Sequence, residues 1–365
     1  MSRRSNRALG GITICLAVFT SLRLPSLTLA AGVGPAVTTN FPDPCLAFEN
    51  GTWYAFSTQS QKINVQLAST PDFTSWTLHT GFDALPKLPA WARLPPDGAV
   101  WAPDVNQRPD GSWVMYFAAV GVDHPRKHCV AAATSPNVTG PYTPHQGTLV
   151  CDLPEGGNID PNLFRDPVNG NNYLIYKVDG NAIGHGGACG NGAEPIAPTP
   201  LYMQLMDPND LITPIGQPVR IFSNDKEDGP NIERPCVVFQ QNTYYVIYNS
   251  QCYTSLNYHI AYVSCVVGVD TKGGIDGCDW PALKLKQETR PDHTLLRTGD
   301  VVSGTKLYAP GSMDVGPDQR KVVFHGDVNL QWFAPDHPVT LRRHRALFAG
   351  EVDFVNGKLS VTKLY

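Results

Sequence analysis

Asn50-Gly-Thr-Trp-Tyr-Ala-Phe56, a polar turn running into an alternating aromatic strand, decides the fold because it recurs. Copies stand at Asp110-Gly-Ser-Trp-Val-Met-Tyr-Phe117, Asn171-Asn-Tyr-Leu-Ile-Tyr176, Asn242-Thr-Tyr-Tyr-Val-Ile-Tyr248 and Gln319-Arg-Lys-Val-Val-Phe-His325, their starts 60 to 77 residues apart. β-Branched and aromatic content marks these as strands, and the spacing leaves room for four short strands per unit. Roughly a dozen residues upstream of each copy, an apolar stretch opens with proline, in most cases near an acid. These openings are Phe41-Pro-Asp43-Pro44, Trp101-Ala-Pro103-Asp104, Ile159-Asp160-Pro161, Ile232-Glu233-Arg-Pro235 and Tyr308-Ala-Pro310-Gly311. Each unit therefore reads as a hairpin whose first strand starts at the proline. Five units with no long amphipathic helix between them predict an all-β chain, a single five-bladed β-propeller over residues 41–365. A β-sandwich or two all-β domains is the alternative, and five spaced copies argue against it.

Composition agrees. Of 365 residues, 42% are apolar and only 16% charged, with 33 glycines and 32 prolines, which suits short strands and turns better than long helices. The first thirty residues hold Arg3, Arg4, Arg7 and Arg23 and no acid, so the formal charge of −4 becomes −8 for the rest. A surface this acidic is a poor partner for nucleic acid or an anionic membrane. The basic start, the short apolar run Leu9 to Phe19 and Thr28-Leu29-Ala30 predict a secretory signal peptide over residues 1–30, followed by a short segment, 31–40. The expected location is extracellular, and the expected state a monomer.

Eight cysteines remain beyond Cys15: Cys45, Cys129, Cys151, Cys189, Cys236, Cys252, Cys265 and Cys278. An even number in a secreted chain implies disulfides, with 105 pairings possible. No C-x-x-C spacing points to zinc or redox chemistry. Asn50-Gly51-Thr52 and Asn137-Val138-Thr139 are glycosylation acceptors in a eukaryotic host. The glycine-rich 180–192 stretch lacks the Gly-Lys-Ser/Thr ending of a phosphate loop and reads as a surface loop stapled by Cys189. Arg342-Arg343-His344-Arg345 reads as a solvated or half-paired strand, and His124 and His128 as structural or surface residues.

Three acids sit in apolar, proline-fixed settings at what read as equivalent places of the repeat: Asp43, Asp160 and Glu233. A propeller brings the inner strands of distant units to one axis, so these carboxyls converge there. Carboxyls with proton affinities pushed apart are what glycoside hydrolysis needs. Asx-type turns before proline are the plainer reading of any single Asp-Pro.

Taken together, the motifs around Asp43, Trp101-Ala-Pro103-Asp104, Ile159-Asp160-Pro161-Asn162-Leu163-Phe164 and Ile232-Glu233-Arg234-Pro235 resemble glycoside hydrolase family 43 from about residue 41 to the C-terminus. The resemblance implies a five-bladed propeller of inverting enzymes acting mainly on arabinofuranosides and xylosides. It implies Asp43 as general base, Glu233 as general acid and Asp160 as the residue that raises and orients the acid, with Trp101 and His325 binding substrate. The expected activity is therefore cleavage of α-L-arabinofuranosyl bonds in plant cell-wall polysaccharide. A β-xylosidase or a catalytically inactive glycan-binding propeller are the alternatives. Arg234 departs from the Gly or Ala usual after the acid. Relatives that cleave arabinan carry Gly-Pro-Gly-His where this chain has Ala309-Pro310-Gly311-Ser312. Ser312 thus replaces a histidine that helps hold a central calcium-like ion, and no cofactor or metal ligand is implied. Phe164-Arg165-Asp166-Pro167 mimics the Arg-Asp-Pro of retaining, sucrose-acting propellers, but Asp166 fits better as part of the turn into Asn171.

Overall fold

The computed structural model describes residue 1 and residues 33–60, 62–94, 98–288, 293–333 and 343–365. Residues 2–30 of the expected signal peptide, its cleavage site and Arg342 fall outside these.

The five repeats are five four-stranded antiparallel meanders. Blade 1 is β1 (Cys45–Glu49), β2 (Thr52–Ser57), β3 (Gln66–Thr70) and β4 (Thr77–Leu78). Blade 2 is β5 (Val100–Gln107), β6 (Trp113–Val120), β7 (His128–Ser135) and β8 (Thr143–Pro144). Blade 3 is β9 (Asn158–Arg165), β10 (Asn172–Val178), β11 (Leu201–Met206) and β12 (Pro214–Arg220). Blade 4 is β13 (Ile232–Gln240), β14 (Thr243–Ser250), β15 (His259–Val266) and β16 (Thr294–Leu296), with helix α1 (Trp280–Glu288) packed on β15. After a small hairpin, β17 (Val301–Val302) and β18 (Thr305–Lys306), blade 5 is β19 (Gly311–Val315), β20 (Lys321–Asp327), β21 (Arg345–Val355) and β22 (Lys358–Leu364). The inner strands β1, β5, β9, β13 and β19 neighbour one another in a closed ring, so the fold is a five-bladed β-propeller.

The alternation of side chains explains the packing. On β6, Trp113, Met115 and Phe117 face the cluster shared with blade 1, while Val114 and Tyr116 face the one shared with blade 3. Such strands are covered on both faces, so β6 and β14 are buried along their whole length. Five apolar clusters result, one in each gap between neighbouring blades. The last gap is closed by the N-terminal segment. Ala36 N donates to Leu347 O (2.8 Å), Leu347 N to Val37 O (3.0 Å) and Phe41 N to Arg345 O (2.7 Å), which ties the first residues of the propeller to β21 of the last blade.

Among the described residues there are three disulfides: Cys129–Cys151 in blade 2, Cys265–Cys278 in blade 4, and Cys189–Cys252 between loops of blades 3 and 4. The last of these staples the glycine-rich loop, as expected. The expectation of paired cysteines fails for Cys45 and Cys236, which are free and buried beside the axis on blades 1 and 4.

Candidate active site

The prolines do not open the inner strands, as the repeat suggested. In blades 2, 3 and 4 they lie inside them, at a bulge. Pairing shifts between Trp101 and Asp104, Glu233 and Cys236, and Gly311 and Asp314, and opposite Ile175 and Lys177 for β9. The corresponding residue of every blade is left-handed, just ahead of β1 in blade 1 and at the bulge in the others: Asp43 (φ 54°), Ala102 (47°), Asp160 (59°), Arg234 (52°) and Ser312 (53°). Proline follows in four of the five, and it disfavours the helical region for the residue before it. The left-handed conformation costs a non-glycine residue about 1–3 kcal/mol and is retained where surrounding contacts demand it.

This corrects the register of the repeat. Asp43 and Asp160 are equivalent, but their counterpart in blade 4 is Arg234, and Glu233 lies one residue earlier, where blade 2 carries Trp101. In a regular strand neighbouring side chains point to opposite faces. The bulge suspends that rule, so Ile159 with Asp160 and Glu233 with Arg234 line one cavity of about 220 Å³. Asp43, Thr58, Trp101, Tyr253, Ser312 and Arg345 complete its wall.

The three carboxyls are in unlike surroundings. Asp43 Oδ2 accepts from Thr58 Oγ1 (2.7 Å), and Oδ1 from Ser312 Oγ (2.9 Å) and Arg345 Nη1 (3.4 Å). Burial alone would push its pKa up; Arg345, the Thr58 hydroxyl and Arg234 outweigh that and hold it well below the usual carboxylate range. Asp160 is pushed up to about 7, by burial first and then by the Glu233 charge, against Lys177 and Arg234. Glu233 is held from three sides: Tyr258 Oη donates to Oε1 (2.8 Å), Asn231 Nδ2 to Oε2 (2.6 Å), and Lys177 Nζ lies 3.5 Å from Oε2. Asp43 and Glu233 expose 18% and 16% of their side chains to the cavity, whereas Asp160 is buried behind them.

Trp101 lines the cavity with its ring stacked on His128, centroids 3.8 Å apart at 25°. His128, expected at the surface or as a structural residue, is a buried backing for that platform, and burial lowers its pKa to about 4. His325 is not on the cavity wall. It is fully buried one layer behind, where its Nδ1 accepts from Asp43 N (3.2 Å) and its ring parallels that of Tyr258. Asp166 takes part in the turn into Asn171 and accepts from Tyr244 Oη (2.7 Å) and Ile275 N (2.8 Å), away from the cavity.

Several site residues were not anticipated. Arg345 belongs to the basic run that reads as a half-paired strand. It opens β21, reaches Asp43 and, like Arg343, lies over the Tyr253 ring. Lys177 and Tyr258 sit on strand or loop positions with no local signature. Gly311 has a local reason to be glycine: a Cβ there would lie 2.1 Å from Cε1 of Tyr258, the ring that holds Glu233.

Two residues beyond the left-handed position, a second ring faces the axis: Cys45, Asp104, Asn162, Cys236 and Asp314. Asn162 Nδ2 bridges Asp104 Oδ1 and Asp314 Oδ1 (3.1 Å each), and burial and mutual repulsion raise Asp104 to about 7. This ring borders a second cavity, of about 420 Å³, that does not reach Asp43 or Glu233. A metal ion on the axis does not fit these residues. The Ser312 hydroxyl is committed to Asp43, and the Arg234 guanidinium lies among the carbonyl oxygens that would face such an ion. Among the described residues no group of three or more His, Cys, Asp or Glu is placed to hold a metal.

Residues 34–273 match the model for "Glycosyl hydrolases family 43". A putative beta-xylosidase of Escherichia coli (strain K12) is 30% identical over 147 residues, 39% of this chain and 26% of its own length. The extracellular endo-alpha-(1->5)-L-arabinanase 2 of Bacillus subtilis (strain 168) is 27% identical over 154 residues, 37% of this chain and 32% of its own length. The chain thus spans about a quarter to a third of the length of these curated relatives. The native Bacillus subtilis arabinanase Arb43A superposes with a TM-score of 0.62 at 17% identity, covering 90% of this chain and 100% of that one. An endo-1,4-beta-xylanase from Bacteroides thetaiotaomicron gives 0.61 at 18% identity, covering 90% and 96%. These likenesses establish the propeller fold.

Proposed function

The chain belongs to family 43 of the glycosyl hydrolases, and on that premise we propose that it is a secreted, inverting glycosidase of plant cell-wall pentosans, acting first on α-L-arabinofuranosyl bonds. One observation carries the reaction: a single cavity holds Asp43, a carboxylate kept ionised by cations and hydroxyls, together with Glu233 and a buried carboxyl, Asp160, that burial and then the Glu233 charge push up to about 7. Asp43 is the general base. It takes a proton from a water whose oxygen attacks the anomeric carbon, while the glycosidic C–O bond breaks on the opposite face. Glu233 gives its proton to the departing oxygen, and the configuration inverts. Asp160, buried behind Glu233, orients the acid and modulates its proton affinity. Thr58, Ser312 and Arg345 fix the Asp43 carboxylate on two oxygens, and Tyr258, Asn231 and Lys177 fix Glu233. The Trp101–His128 stack offers a rigid apolar face for the sugar ring.

A cavity of about 220 Å³ is smaller than drug-sized pockets of about 300–1,000 Å³ and suits a single pentosyl unit. The arabinanase among the relatives supports the arabinofuranosyl choice, and the putative beta-xylosidase, at 30% identity, supports a β-xylosyl substrate as the second reading. Secretion is supported by the N-terminal sequence, the three disulfides and the extracellular arabinanase relative.

The test is product release from linear arabinan, arabinoxylan, xylobiose and aryl pentosides, wild type beside Glu233→Gln. Pentose released by the wild type alone is the expected result. Silence from folded, disulfide-intact wild type on every substrate would remove the proposal.

A further inference from the structure

Arg234 has no part in the chemistry proposed above, yet it crosses the middle of the site. It is 3% exposed, and its guanidinium lies across the axis. Nη2 donates to the carbonyls of Pro44 (3.0 Å), Pro103 (3.3 Å) and Asp43 (3.4 Å), and Nη1 to that of Pro161 (3.3 Å). Pro44, Pro103 and Pro161 each follow the left-handed residue of blades 1, 2 and 3. Three equivalent carbonyls from three blades therefore meet one cation supplied by the fourth. Carbonyls bring only lone pairs and cannot satisfy one another, and each left buried without a donor costs about 1–3 kcal/mol. Something positive has to stand between them. The same residue also grips Asp160, since Arg234 N donates to its Oδ2 (3.0 Å). The left-handed positions of blades 1 and 3, Asp43 and Asp160, are thus tied to the residue next to Glu233.

We propose that Arg234 is a positioning residue that carries the propeller's own axial cation. Its guanidinium gathers the proline carbonyls of blades 1, 2 and 3 and so sets the spacing of Asp43 and Asp160, the carboxyls that precede those prolines in blades 1 and 3. The guanidinium does for this chain what a bound ion would do on the axis, and it leaves no room for one. This inference rests on the reading of Asp43, Asp160 and Glu233 as the reacting group. It also gives a physical reason for a bulky residue after Glu233: the side chain turns onto these carbonyls and stays buried in the cavity wall rather than filling the cavity.

Arg234→Gly tests it, because glycine takes a φ of 52° without strain and opens the carbonyl cage to a soluble guanidinium. Misplaced carboxyls should lower kcat by about 100-fold or more on the aryl pentoside while KM moves less than about threefold. Methylguanidinium should restore kcat at least tenfold and saturably, roughly over tens of millimolar, where sodium chloride and methylammonium at equal concentration do not. It should also raise the thermal midpoint of the variant, and not of the wild type, saturably. A kcat within about threefold of wild type, or a folded variant indifferent to methylguanidinium, would overturn the proposal. Should the glycine variant not fold, Arg234→Met keeps the volume without the charge. It should lose kcat and shift the acid limb of the pH profile upward, and an unmoved limb would count against the proposal. Inactive wild type would sink the functional reading instead, and the thermal response of Arg234→Gly would still decide the role of the arginine.

Discussion

Asp160→Asn is the substitution that probes the raised carboxyl behind Glu233. Raising a carboxyl from its ordinary 3.8 to about 7 corresponds to about 4 kcal/mol at 1.36 kcal/mol per decade. Burial supplies the larger part and the neighbouring Glu233 charge the next. Asparagine keeps the shape and can still receive the Arg234 amide, but it carries neither the charge nor the proton of Asp160. The deprotonation that ends activity should then move from near 7 toward the ordinary carboxylate range. If that limb falls by about two pH units, kcat/KM at pH 7 drops about 50-fold while the loss at pH 5 is about twofold. The assay is the pH dependence of kcat/KM on an aryl pentoside with a poor leaving group. A dinitrophenyl pentoside, whose departure needs no proton, should show little loss at any pH. A basic limb that stays near 7 in Asp160→Asn, or an equal loss with both leaving groups, would refute the assignment of Asp160.

Other consequences follow from the same geometry. Arg345→Met removes the cation 3.4 Å from Asp43, so the acid limb should move up toward the ordinary carboxylate range, and kcat/KM should fall by at most about twofold at pH 4 and by up to about sevenfold at pH 3. Stability should respond in opposite senses to the two aspartates. Asp43, held low in the folded state, contributes stability above its ordinary pKa that is lost as pH falls below it. Asp160, held high, contributes stability that is complete below pH 3.8 and lost as pH rises through 7, so Asp160→Asn should flatten the dependence of thermal midpoint between pH 4 and 8. Chelator treatment should leave the activity unchanged, since Arg234 takes the axial place. Gly311→Ala, whose methyl meets Tyr258, should lower kcat through Glu233 by about 10-fold to 100-fold. Thiol titration of the denatured, non-reduced chain should find Cys45 and Cys236 alone if the N-terminal segment has been removed, and Cys15 as well if it has not.

The fold was legible because the turn-plus-aromatic-strand unit is local and repeats five times. The carboxyls were legible because each lies beside a proline at a fixed distance from such a strand. Register was not. The bulge lets Glu233 and Arg234 share a face, so alternation alone placed Glu233 level with Asp43 and Asp160 when Arg234 is their true counterpart. Arg345 looked like one charge in a run because nothing local says which residue of Arg342-Arg343-His344-Arg345 opens a strand toward the axis. Ser312 reaches Asp43 through closure of the ring, over 269 residues, while Lys177 reaches Glu233 from the neighbouring blade and Tyr258 from 25 residues along the same blade, and such contacts leave no mark in neighbouring sequence. The two free cysteines were obscured by parity: eight is even, but Cys45 and Cys236 sit on non-adjacent blades of the second axial ring.

The central claim is an inverting reaction with Asp43 as base and Glu233 as acid, and the most direct measurement is the anomeric form of the first product. Proton NMR of early turnover on an aryl α-L-arabinofuranoside, or on the β-xyloside if that is the better substrate, reads it before mutarotation. The account predicts that the first sugar released by the wild type has the opposite anomeric configuration to the substrate, and that Glu233→Gln releases none from a poor leaving group. First product with retained configuration would contradict it.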